Sequence, residues 1–74
     1  MLDLKGYHKN TNCSDRIGSV YYDKDDSIVD GMADDWIRIT PIPGSDHYVV
    51  TWVENGEDVK ISLLEKNELE GIQL

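Results

Sequence analysis

The chain has 74 residues, of which only 39% are hydrophobic, and a formal net charge of −8 from 15 carboxylates against seven lysines and arginines. A chain this short holds one small core and little room for a deep pocket, so we expect a single domain over residues 1–74. The acidic balance argues against direct binding to nucleic acid or to an anionic membrane. It favours a partner protein with a basic surface.

Apolar runs and cysteine usage bear on the compartment. The sequence has no apolar run of the length that a transmembrane helix or the core of a signal peptide needs. The one cysteine, Cys13, cannot form an internal disulfide, which agrees with a reducing compartment. We therefore expect a cytoplasmic protein.

In chain order, the first part of the sequence predicts little regular structure. Residues 1–16 are rich in turn-forming side chains and are expected to form an irregular N-terminal segment, in which Leu2 and Leu4 could make a short strand. Residues 17–22 are the first clear strand candidate. Residues 23–35 are too polar and too rich in turn residues for a strand, so we interpret them as an acidic loop, with room for one helical turn near its C-terminal end.

A β-hairpin over residues 47–64 is the clearest structural signal. Asn55-Gly56 is the strongest short turn dipeptide, and the residues on both sides of it alternate between apolar and polar. Pairing the strands outwards from Glu54 opposite Glu57 gives one wholly apolar face, because side chains directly opposite each other share a face. That predicted core face holds Tyr48, Val50, Trp52, Val59, Ile61 and Leu63.

A further strand is predicted before the hairpin, over residues 36–40. Pro41 and Pro43 limit it, because proline cannot donate to a strand ladder. On the second face of the hairpin, Val49 and Val53 are expected to be exposed. They could pack on residues 1–22 or on a second copy of the chain, and the sequence leaves the oligomeric state open.

The C-terminal residues complete the fold pattern. Residues 65–68 break the alternation and predict a single helical turn, and residues 69–74 resume an apolar stretch that is expected to form a short last strand. With the two earlier strand candidates, residues 48–72 resemble the end of an SH3-like barrel of the Tudor or KOW type, and the resemblance covers residues 17–73. It implies a mainly β fold: a small five-stranded antiparallel barrel or sheet with a short helical turn near the C-terminus. A mixed sheet with one packed helix is the alternative.

Clustered carboxylates are the strongest functional signal. Residues 23–35 sum to −5, and the hairpin tip adds three more negative charges. We expect a non-catalytic module that binds a basic surface of a partner protein. The more specific hypothesis is that the module mimics nucleic acid. In size and charge the chain is similar to small phage-type inhibitors of restriction, repair or CRISPR nucleases. The alternative is that these charges only keep a small protein soluble. The candidate partner-binding residues are Asp23, Asp25, Asp26, Asp30, Asp34, Asp35, Trp36, Glu54, Glu57 and Asp58.

A second hypothesis assigns binding to aromatic side chains. SH3-like barrels often bind peptides through clustered rings, and a methylated lysine or arginine is held among such rings by cation–π attraction. Trp36, Tyr21 and Tyr22 beside Asp34 and Asp35 could supply this cage. The competing interpretation is that these rings are core, because the sequence has no phenylalanine.

Metal and catalytic motifs are weak. Asp23, Asp25 and Ser27 match the first, third and fifth positions of an EF-hand calcium loop, but Ile28 occupies the sixth, where that loop needs glycine for its sharp turn. The two histidines and the cysteine lack the paired spacing of zinc ligands. We find no catalytic or cofactor-binding motif, and therefore expect no enzymatic activity, no metal and no cofactor.

Overall fold

A computed structural model describes residues 2–74, and this part of the chain contains seven β-strands and two short 3₁₀ turns. Five strands form one antiparallel sheet in the order β1-β2-β5-β6-β7, and β3 pairs with β4 in a separate two-stranded ribbon. The strands are β1 Tyr7–Asn10, β2 Val20–Lys24, β3 Ile28–Val29, β4 Met32–Ala33, β5 Trp36–Pro41, β6 His47–Glu54 and β7 Glu57–Glu65; the turns are Asp25–Ser27 and Lys66–Leu69.

The mainly β prediction is confirmed, and the sheet is open. It is not closed into a barrel, because β1 and β7 each pair with one neighbour only within the described chain. The short helical turn near the C-terminus is also confirmed, at Lys66–Leu69. No helical turn within residues 2–74 has the length and apolar character that crossing a membrane requires.

One face of the sheet carries the core. Alternation along the two central strands turns Ile37, Ile39 and Val50 to the same side, where they are fully buried. Tyr22 and Leu69 complete the buried cluster. Side chains from both terminal segments and from β6 and β7 pack against this cluster: Leu2, Leu4, Tyr48, Trp52, Leu64 and Ile72. The terminal segments therefore cover this face, which we call the core face; the other is the open face.

The hairpin forms at the predicted turn. Asn55 and Gly56 both have positive φ, at 52° and 75°, as a two-residue turn of this type requires. Glu54 pairs with Glu57 as predicted. The predicted register therefore holds at the tip.

Beyond the tip the predicted register is wrong. Val59 is an extra residue in β7, so Trp52 pairs with Lys60 and not with Val59. A shift of one residue reverses which side chains face the core. Ile61 and Leu63, predicted as core, are 65% and 60% exposed, as is Val59 at 53%. The predicted exposure of Val53 is also wrong, since only 2% of it is accessible, although it lies on the predicted second face of β6, opposite Trp36 of β5.

The first third of the chain is more ordered than predicted. The strand Tyr7–Asn10 lies within the segment expected to be irregular, and it pairs with β2. The β2 strand begins later than expected, at Val20, and takes in Asp23 and Lys24 from the predicted acidic loop. An edge strand with polar side chains lacks the apolar alternation that would have indicated it.

Three smaller expectations also change. Leu2 and Leu4 are not in a strand, although both pack on the core. The helical turn of the acidic segment lies at its start, Asp25–Ser27, whereas its C-terminal half forms the β3–β4 ribbon. The stretch 69–74 contains no strand.

Candidate binding surface

Sheet topology brings the two acidic segments to one end of the molecule. The β2 and β6 strands end there, β5 and β7 begin there, and the connections between them are residues 25–35 and the hairpin tip. Backbone hydrogen bonds join the two segments directly: the Gly56 N–H donates to the Asp34 carbonyl at 3.1 Å, and the Asn55 N–H to the Asp35 carboxylate at 3.0 Å. We call residues 23–35 and 54–58 together the acidic end.

The acidic end holds the whole net charge of the chain. Residues 23–35 contain six aspartates and one lysine, and residues 54–58 contain three carboxylates, which together give −8. The six carboxylates elsewhere are matched by six lysines and arginines. The molecule is therefore a neutral body with one strongly negative end.

Most of the predicted acidic residues are accessible there. Asp23, Asp35 and Trp36 are half-buried. The exposed members of the predicted set are Asp25, Asp26, Asp30, Asp34, Glu54, Glu57 and Asp58. The surface they form can accept hydrogen bonds and attract cations without any rearrangement of the core.

Several of these carboxylates are partly engaged within the molecule. Asp23 accepts from the Asn10 amide at 2.9 Å, and Asp25 contacts His8. Looser ion pairs at 3.9 Å link Asp26 to Lys24 and Asp58 to Arg38. Within the described chain, no side-chain hydrogen bond or ion pair engages the carboxylates of Asp30, Asp34, Glu54 and Glu57. These four are the most available to a partner.

Ser27 holds the acidic segment in shape. Its hydroxyl donates to the Lys24 carbonyl at 2.9 Å and accepts from the Asp35 N–H at 3.1 Å, so it ties the start of the segment to its end. The Asp34 N–H also donates to the Ser27 carbonyl, at 3.2 Å. Sequence reasoning matched Ser27 to a calcium-ligand position, but here its hydroxyl bonds the backbone.

The β3–β4 ribbon adds an apolar element that the sequence analysis missed. Asp30 and Gly31 form its turn with φ of 54° and 78°. Three ribbon side chains are exposed: Ile28 at 40%, Val29 at 61% and Met32 at 75%. Apolar side chains surrounded by carboxylates on a short ribbon are available as contact points for another protein. The turn dipeptide Asp30-Gly31, directly after the apolar pair Ile28-Val29, was the signal that could have indicated a hairpin.

The aromatic residues of the predicted cage are not all on one face. Trp36 and Tyr21 lie on the open face, where Tyr21 pairs with Arg38 and Trp36 with Asp23, whereas Tyr22 lies in the core. The Tyr22 hydroxyl donates to the Gln73 carbonyl at 2.7 Å, and burial raises the pKa of this phenol. The indole N–H of Trp36 is buried, with no acceptor within residues 2–74.

A tight turn at the other end of the sheet centres on Asp15. Its carboxylate accepts from the backbone N–H groups of Ile17, Gly18 and Ser19 at 2.9–3.0 Å, and from the Tyr21 hydroxyl at 3.2 Å. These donors, with Ser19 the largest contributor, lower the pKa of Asp15 to about 2. Burial and, to a smaller extent, the neighbouring Asp15 carboxylate raise the pKa of Tyr21. An aspartate followed by glycine and serine in a turn was the sequence signal.

Within residues 2–74, no group of three or more histidine, cysteine or carboxylate side chains has the geometry to hold a metal ion. An open groove of about 690 Å³ lies at the end opposite the hairpin tip, where His47 and Glu65 approach to 3.7 Å.

No protein-family model, curated protein sequence or solved structure matches this chain.

Proposed function

We propose that this protein is a non-catalytic interaction module whose acidic end docks on a basic surface of a partner protein. The observation that carries the proposal is the charge distribution: the whole net charge of −8 lies in residues 23–35 and 54–58, and the rest of the chain sums to zero. If the charges served only solubility, nothing would require them to lie together. Concentration at one end raises the local field that attracts a basic surface.

The exposed ribbon supports docking on a protein in particular. Val29 and Met32 are more than half exposed and are flanked by Asp26, Asp30 and Asp34. Protein interfaces commonly combine a small apolar centre with a polar rim, and methionine is enriched in such centres. In this proposal the carboxylates steer the approach and the ribbon supplies the apolar contact.

A more specific version of the proposal is that the acidic end mimics nucleic acid. Its support is that eight net negative charges lie together in residues 23–35 and 54–58, and that duplex DNA likewise presents closely spaced negative charge, about one per 1.7 Å of its axis. A basic groove that binds DNA would accept the acidic end, and the bound module would block the groove.

The test uses two triple variants of equal net charge. Asp26→Asn/Asp30→Asn/Glu57→Gln neutralises exposed carboxylates at the acidic end, and Asp3→Asn/Asp46→Asn/Glu70→Gln neutralises three exposed carboxylates elsewhere. Each tagged protein is used to capture partners from a lysate of its source organism, with washes of increasing salt. The proposal expects a basic protein that is held by the wild type and the control variant and is lost from the acidic-end variant.

The magnitude follows from exposed charge pairs. Each such pair contributes about 0.2–1 kcal/mol, so loss of three should weaken binding by about 3- to 150-fold, and by less at high salt. Equal loss in both variants would mean that only total charge matters. Unchanged binding in both would refute the acidic end as the docking site.

An SH3-like reader of a basic or methylated peptide is the second candidate. Its support is that Trp36 and Tyr21 share the open face and that Trp36 adjoins the acidic segment. Arg38 pairs with Tyr21 and would repel a cationic side chain placed there, whereas Asp23 pairs with Trp36. This function requires that Trp36→Ala abolishes peptide binding while the fold, measured by circular dichroism, persists. Unfolding of that variant would assign the ring to structure.

A further inference from the structure

The turn at the hairpin tip contains the one asparagine of the chain that directly precedes a glycine, Asn55 before Gly56. An asparagine side chain can lose its amide group without an enzyme, because the backbone nitrogen of the next residue attacks the amide carbon. Glycine has no side chain to obstruct that approach. Both residues are exposed, and within residues 2–74 the Asn55 side chain makes no hydrogen bond. The turn is therefore accessible to water and chemically suited to this reaction.

The reaction converts the Asn55 amide into a carboxylate in two steps. The Gly56 nitrogen forms a bond to Cγ of Asn55 while the bond from Cγ to the amide nitrogen breaks, and the proton of the Gly56 N–H leaves with that nitrogen as ammonia. A succinimide ring remains. Water then opens the ring at one of its two carbonyls, which gives either aspartate or isoaspartate, and the backbone of isoaspartate is one methylene longer. No oxidant, reductant or cofactor takes part.

The folded turn holds the two reacting atoms apart. Asn55 has a φ of 52°, in the left-handed region, where ψ is about 30–60°. At a tetrahedral Cα with L chirality, these ψ values place the nitrogen of the next residue on the opposite side of the Cα–C bond from Cβ. Ring closure requires the nitrogen and Cβ on the same side. The Asn55 ψ must therefore rotate by about half a turn before the Gly56 nitrogen can reach Cγ.

Hydrogen bonds to the acidic segment oppose that rotation. The Gly56 N–H, whose nitrogen must attack, donates to the Asp34 carbonyl at 3.1 Å. The Asn55 N–H donates to the Asp35 carboxylate at 3.0 Å, and the pairing of β6 with β7 holds the chain on both sides of the turn. Rotation about the Asn55 ψ turns the Gly56 N–H away from its acceptor. The reaction therefore requires the hairpin tip to separate from residues 34 and 35.

We propose that Asn55 is a site of spontaneous deamidation whose rate is set by opening of the acidic end. Where the tip opens and closes faster than the ring forms, the rate equals that of the open chain multiplied by the fraction of molecules that are open. The product adds one carboxylate, so the net charge passes from −8 to −9. Isoaspartate also lengthens the turn and displaces the Gly56 N–H from the Asp34 carbonyl. This inference does not depend on the proposed function.

Peptide mapping by mass spectrometry, after incubation at mildly alkaline pH, measures the reaction at each asparagine. In guanidinium chloride, Asn55 should react before Asn10, Asn12 and Asn67, because each of these precedes a residue with a side chain. In the folded protein, Asn55 should react at least about tenfold more slowly than in the unfolded chain, because the open fraction is small. Earlier reaction of another asparagine in the unfolded chain, or equal rates at Asn55 in both states, would overturn the proposal.

Two variants with the same loss of charge test the contact with the acidic segment. Asp35→Ala removes the acceptor of the Asn55 N–H, whereas Asp26→Ala removes an exposed carboxylate that contacts Lys24 and not the tip. With circular dichroism showing both variants folded, Asp35→Ala should deamidate about 2- to 13-fold faster than the wild type, as expected for the loss of one hydrogen bond. Asp26→Ala should react at the wild-type rate. Equal rates in the two folded variants would overturn the proposal.

Discussion

The Ser27→Ala substitution tests how the acidic end is held in shape. It removes a hydroxyl that donates to the Lys24 carbonyl and accepts from the Asp35 N–H, without changing any charge. A hydrogen bond contributes about 0.5–1.5 kcal/mol, so the loss of two at this half-buried site should lower the free energy of unfolding by about 1–2 kcal/mol. With an unfolding entropy of about 2.1 cal/mol/K per residue, the 74-residue chain should lose about 6 °C in Tm per kcal/mol.

Thermal unfolding followed by circular dichroism measures this loss. Ser45→Ala is the control, because the Ser45 hydroxyl also bridges two backbone groups, the Ile42 carbonyl and the His47 N–H, but in an exposed turn. We expect Ser27→Ala to melt about 6–12 °C below the wild type and Ser45→Ala to melt within a few degrees of it. A Ser27→Ala variant as stable as the Ser45→Ala variant would refute the account of the acidic segment.

Three further outcomes can be measured on the isolated protein. Tyr22→Phe should lower stability by about 1 kcal/mol in chemical denaturation, since it removes the bond to the Gln73 carbonyl but keeps the buried ring. The folded pKa of Asp15, about 2, lies below its ordinary value of 3.8. Its contribution to stability is therefore complete above about pH 5 and is lost progressively as the pH falls through 2. An Asp15→Asn variant should show a shallower loss of stability over that window. Gly56→Ala should cost about 1–2 kcal/mol, because φ is 75° there, and a native-like Tm for this variant would contradict the assigned turn.

The hairpin shows how far the sequence could predict the fold. Asn55-Gly56 specified the turn and the first pairs, because a two-residue turn of this type admits few other residues. The single extra residue at Val59 then reversed the face of every later β7 side chain. Alternation alone could not reveal it, since Ile61 and Leu63 are apolar and fit a core as well as an exposed edge. The contact of the Lys60 ammonium with the Trp52 ring, 4.6 Å from its centroid, belongs to the shifted register.

The sequence predicted which residues form the acidic end, but not how its two segments are joined. Composition indicated both clusters of carboxylates, because charge is read directly from the sequence. The two clusters are joined by two backbone N–H groups: that of Asn55 donates to the Asp35 carboxylate, and that of Gly56 donates to the Asp34 carbonyl. Every residue type but proline has a backbone N–H, so composition does not indicate these bonds. The β3–β4 ribbon was missed because two-residue strands are too short for a periodic pattern.

The salt dependence of partner binding tests the central claim most directly. With the captured partner purified, its dissociation constant is measured over a range of salt concentrations for the wild type, for Asp26→Asn/Asp30→Asn/Glu57→Gln and for Asp3→Asn/Asp46→Asn/Glu70→Gln. The account predicts that the wild type and the second variant share a steep loss of affinity with salt, and that the first variant binds more weakly with a shallower slope. Three parallel curves of equal affinity would contradict the claim that the acidic end is the docking surface.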